Sequence, residues 1–136
     1  MSDHPRFTIN RSVVILMPEQ PFLDWIKAVD PEPVPSLSLD RVRDDASVFL
    51  LPGEVAESDE DALRWVEKRW RYFFEFLLGE WFDISLWPEK LTLAMFREWF
   101  TPRLHSMVWD MAPEAPIEHE DWDEGDDDED APALLH

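Results

Sequence analysis

The first pronounced pattern along the chain is Ser12-Val13-Val14-Ile15-Leu16-Met17, a β-branched and aliphatic run stopped by Pro18. It predicts a strand covered on both faces. Phe22, Leu23, Trp25, Ile26 and Val29 follow at helical spacing, with Pro21 admissible in a first turn and Asp30-Pro31 closing a short helix. Pro31, Pro33 and Pro35 then mark residues 30–38 as an extended surface connector. A second apolar run, Ala46-Ser47-Val48-Phe49-Leu50-Leu51, ends at Pro52-Gly53 and predicts another strand of the same buried kind, followed by a turn.

The longest periodic segment covers residues 59–78. Ser58 stands in N-cap position, and Asp59, Glu60 and Asp61 occupy the first turn, where they favour the positive end of the helix dipole. At 100° per residue, Leu63, Val66, Trp70, Phe73, Phe74, Leu77 and Trp81 gather on one side, with Arg64, Glu67, Lys68, Arg71 and Glu75 opposite. This predicts one long amphipathic helix stopping near Gly79 and forming the spine of the core. Glu75, although flanked by Phe74 and Phe76, falls inside the charged stripe four residues after Arg71, so it reads as an exposed ion-pair partner and not as a buried general acid.

Past Trp81-Phe82 the pattern is irregular through Trp87-Pro88. Thr92 can then cap a helix over residues 93–100, which Pro102 would end. Residues 104–111 alternate well enough for a strand, with Leu104, Ser106, Val108 and Asp110 on one face and His105, Met107, Trp109 and Met111 on the other. The resulting order is β-α-β-α-α-β. It predicts an α+β (or small α/β) fold: a three-stranded sheet, at least partly parallel, with the long helix packed across one face.

Charge alters this picture at one end. The chain holds 31 acids and 12 bases over 136 residues, a net charge of −19. The run EHEDWDEGDDDED at 118–130 supplies 10 of those acids and no base, which leaves the remainder at −9. Such a run cannot build a packed core, so residues 1–112 are expected to form the compact domain and residues 113–136 a Pro-led, disordered acidic tail. The acidic balance argues against nucleic acid or an anionic membrane as partner. No run approaches the roughly 20 apolar residues of a membrane span, and no leader-like pattern opens the chain, so a cytoplasmic location is expected.

Candidate chemistry is sparse. Without Cys there is no thiolate metal site or cysteine nucleophile, and three Gly cannot build a phosphate-binding loop. The four His at 4, 105, 119 and 136 have no metal-ligand spacing, so no metal and no cofactor are expected. Counting back from Gly125, the acidic run puts Trp122 in the third ligand position of a calcium loop, which removes that reading too. The nearest approach to a catalytic cluster is Glu98, His105 and Asp110, with Ser106 beside the histidine; Asp24 is a further carboxylate His105 could meet. These would serve a small hydrolase or metal-dependent enzyme. The preferred reading, on the scarcity of catalytic parts, is a protein-binding or regulatory module that engages a basic partner surface. Its expected contact residues are Trp65 on the flank of the long helix, Trp87 before a proline, and Asp121, Trp122, Asp123 and Glu124, where an aromatic ring rides on a flexible anionic segment.

Overall fold

A computed structural model of the chain describes residues 7–120, and its class is α+β. Its elements are β1 (Phe7–Thr8), β2 (Arg11–Pro18), α1 (Gln20–Val29), α2 (Leu39–Asp44), β3 (Val48–Pro52), α3 (Asp59–Lys68), α4 (Trp70–Gly79), α5 (Leu93–Trp99), β4 (Phe100–His105) and β5 (Trp109–Asp110). Single 3₁₀ turns at Gly53–Glu57 and Ile84–Leu86 join them. Among the described residues, no helix is long and apolar enough to cross a membrane.

The sheet has the order β3-β2-β4 and is antiparallel throughout, which corrects the expectation of parallel pairing. The reason is where the connections deliver the chain. Both neighbours of β2 start at its C-terminal end, Val48 opposite Ile15 and Phe100 opposite Pro18, so both run back against it. A separate ribbon pairs β1 with β5, Thr8 opposite Trp109.

Burial alternates along β2: Ser12, Val14, Leu16 and Pro18 are buried while Arg11, Val13, Ile15 and Met17 are half-exposed. The sheet is therefore covered on one face, and the expectation of two covered faces fails for β2 and for β3, where Val48 and Leu50 are 59% and 53% exposed. On the covered face Phe22, Phe74, Phe96 and Phe100 form the centre of the core, with Phe22 and Phe100 centroids 4.9 Å apart and Phe74 5.3 Å from Trp99. Buried indoles find acceptors, as they must: Trp25 Nε1 donates to the Leu86 carbonyl at 3.0 Å and Trp87 Nε1 to that of Phe82 at 2.9 Å.

Local signals explain most helix ends. Ser58 Oγ accepts from Asp61 N–H at 3.0 Å and Thr92 Oγ1 from Met95 N–H at 3.1 Å. Ser38 caps α2 in the same way; this one-sided helix, in which only Val42 is buried, lies between the connector expected over 30–38 and the apolar run from Ala46, where the sequence pattern assigns no element. Arg97 of α5 ties back to Glu67 of α3 through two bonds of 2.7 and 2.9 Å, and this guanidinium holds the Glu67 carboxyl below its ordinary value.

Two boundaries differ from the periodicity. The predicted 59–78 helix is two helices, broken at Arg69 (φ −117°, ψ 24°). Pro102 lies inside β4 instead of ending a helix, and the predicted 104–111 strand divides into the end of β4 and the short β5. Proline is tolerated there because of register. Glu19 N–H donates to the Trp99 carbonyl, so alternation places the bonds of Thr101, Arg103 and His105 toward β2 and turns Pro102 toward the open edge, where no donor is required.

Candidate functional site: an aromatic groove beside a strand edge

The break at Arg69 borders a concave depression between α3, α4 and β3. Its guanidinium donates to the Trp65 carbonyl at 3.1 Å and lies 3.8 Å over the Trp65 ring, which occupies a carbonyl that the interrupted helix would leave bare. The bend holds Trp65 edge-on to Phe73, centroids 6.3 Å apart, and brings the start of α4 alongside β3. Phe49 of β3 meets Phe73 and Phe76 edge-to-face at 5.1 and 5.4 Å. Between these walls opens a groove of about 840 Å³ lined by Phe49, Leu50, Pro52, Trp65, Trp70, Tyr72, Phe73 and Phe76, with Lys68, Arg69, Arg71 and Glu75 as its charged members.

Its charge is opposite in sign to that of the chain. Three cations face one carboxylate, and Glu75 pairs with Arg71 at 3.6 Å, the exposed i,i+4 pair expected from spacing. Arg71 also lies 4.9 Å over the Trp70 ring. The groove thus combines apolar and aromatic walls with a cationic rim in a molecule of net charge −19.

One wall is a strand edge. Gly53 N–H donates to the Asn10 carbonyl at 3.1 Å, a close approach in which a Cβ at Gly53 would lie 3.0 Å from that carbonyl. Counting back along the β2–β3 register from this pair, Leu51 and Phe49 direct their backbone groups to β2, whereas Val48, Leu50 and Pro52 direct theirs outward. The edge offers the N–H groups of Val48 and Leu50; Pro52, having none, blunts its end.

The residues singled out in the sequence fall in different places. Trp65 lies in the groove wall. Trp87 does not: it is half-buried against the core beside Gly79, its N–H engaged internally. Glu98 is exposed on α5, and His105 is exposed at the opposite end of β4, which at about 3.3 Å per residue puts roughly 17 Å of strand between Phe100 and His105. Asp110 accepts from Ala112 N–H at 2.8 Å in a local turn. The three carboxylate and imidazole groups are not brought together in one cleft. Among the described residues, no set of three or more His, Asp or Glu is placed to hold a metal ion. Asp121, Trp122, Asp123 and Glu124 lie outside the described residues.

Sequence reasoning missed Lys68, Arg69, Arg71, Tyr72 and Phe76 as a group. A signal existed: Lys68-Arg69-Trp70-Arg71 concentrates three of 12 bases in four positions, and Tyr72 and Phe76 stand i,i+4 on the flank away from buried Phe74 and Leu78. No family model, curated protein or solved structure matches this chain.

Proposed function

We propose that this protein is a protein-binding module whose docking surface is the groove between β3 and the α3–α4 bend, and that its ligand is an extended acidic segment carrying an aromatic or large aliphatic side chain. The observation that carries this reading is the coincidence in one concavity of exposed Leu50, Tyr72 and Phe76, three cations and a strand edge with two outward N–H groups. An apolar side chain would fill the space against Trp65 and Phe73, its carboxylates would meet Lys68 and Arg69, and its backbone would pair with Val48 and Leu50. For this surface the proposed partner is acidic; the expectation of a basic partner surface rests on the acidic run at 118–130. The alternative of an enzyme built on Glu98, His105 and Asp110 draws no support from their separate positions.

Panning a random peptide library on the full chain tests the reading. Acidic peptides bearing Trp, Phe or Leu should be enriched, and Lys68→Glu or Leu50→Asp, both at exposed side chains, should abolish the enrichment without lowering the melting temperature. Selection of basic peptides, or equal retention by the two variants, would contradict it.

A further inference from the structure

We infer that the groove is covered by this chain's own acidic segment around Trp122, so that an external ligand must displace it. The inference rests on the groove being a docking site. It starts from the path of the chain. Ser106, Met107 and Val108 line one depression with Pro52, Gly53 and Glu54, and Pro52 is also a wall of the groove. The outgoing chain therefore passes the end of β3 at which the groove begins. The chain is held through β5, which pairs with β1, and through the turn in which Ala115 N–H donates to the Ala112 carbonyl; the seven residues from Ala115 to Trp122 span about 23 Å when extended, against about 17 Å for the five residues of β3.

Chemistry selects the place. The run 118–130 carries 10 carboxylates, one indole and no cation. At the first turn of α3, with Asp59, Glu60 and Asp61, it meets like charge. At the groove it meets Lys68 and Arg69, neither of which has an acid partner among the ion pairs of the described residues, beside walls that can take an indole ring. The open face of the sheet carries Val13, Ile15 and Met17 between Arg11 and Arg103, with Glu19 at its end accepting from Thr101. The groove adds aromatic walls at Phe49, Trp65 and Phe73 beside the outward N–H groups of Val48 and Leu50, so it is the stronger partner for an indole. Tethering supplies an effective concentration in the millimolar range, so several weak exposed contacts suffice.

The lack of Cys makes a direct test available in the full chain. A nitroxide on Gly125→Cys should reduce the amide peak intensities of Lys68–Phe76, Val48 and Leu50 in a ¹⁵N-labelled sample. The loss should persist on dilution with unlabelled chain. It should be relieved by Lys68→Glu, by Trp122→Ala, and by raising salt from about 0.1 M to about 1 M, where the screening length falls from about 10 Å to about 3 Å. Intensity loss confined to Val13, Ile15 and Arg103, none anywhere, or transfer only between molecules in a mixed-label sample would each overturn the inference. A free peptide from the panning experiment separates the two ideas. If it shifts groove resonances while the spin label leaves them unchanged, the docking site stands and self-coverage is refuted; if neither acts, both fall.

Discussion

Phe74→Ala is the perturbation that weighs most directly on how this fold is held together. Phe74 is fully buried, and its ring lies 5.3 to 6.5 Å from those of Trp70, Phe96, Trp99 and Phe100, so it joins α4 to α5 and to the start of β4. Truncation removes most of the roughly 150–250 Å² that a phenylalanine buries and leaves a cavity walled by rigid rings that cannot collapse into it, for a loss of about 4 kcal/mol. A domain of this size has about 5–15 kcal/mol in total. With a urea slope of about 2 kcal/mol/M the unfolding midpoint should fall by about 2 M. Phe76, two residues on, is 52% exposed and its ring meets that of Phe49 edge-to-face, so Phe76→Ala should cost no more than about 1 kcal/mol. Urea titrations followed by tryptophan fluorescence and by circular dichroism measure both. Equal midpoint shifts for the two variants would refute the assignment of Phe74 to the convergence of the core and of Phe76 to a surface groove.

Three other outcomes follow from local geometry. Ser58→Ala removes the oxygen that accepts from Asp61 N–H and should destabilise by about 1 kcal/mol in the same titration, with Ser58→Gly costing only a few tenths. Arg97 donates to Glu67 and lowers its pKa, so the pair adds stability above the ordinary value of 4.5, and that contribution is lost as pH falls through the depressed folded-state value. The melting-temperature gap between the parent chain and Glu67→Gln should accordingly be present at neutral pH and close below pH 4.5; a gap independent of pH would remove the pair from the account. Pro52→Val restores a third outward N–H on β3, and sedimentation velocity should show more concentration-dependent association than the parent chain, whereas an unchanged profile would mean that Pro52 does not guard this edge.

Much of the architecture was legible in local chemistry. Serine and threonine in N-cap positions, proline in the first turn of α1 and the apolar spacing of Phe73, Phe74 and Leu77 act over a few residues, and the chain obeys them: α1, α3 and α5 begin where those signals stand. The Arg71–Glu75 pair was legible for the same reason, since i,i+4 geometry is a property of any helix. Charge was legible as composition, which separates the acidic run at 118–130 from the chain before it.

What periodicity could not carry is anything set by a distant neighbour. Apolar runs look alike whether one sheet face or both are covered, and Val48 and Leu50 became surface residues only because the helices pack on the other side. Strand direction depended on which end of β2 each connection reached, a distance through space and not along sequence. Pro102 fits inside a strand only because register turns its missing donor away from β2. Arg69 carries no helix-breaking signal of its own; at the bend its guanidinium caps the Trp65 carbonyl while Phe73 and Phe74 turn inward, and the groove lies between that bend and the edge of β3. Local bonds determine which segments are helix or strand, but a concave surface belongs to pairs of segments, and only their packing decides where it opens.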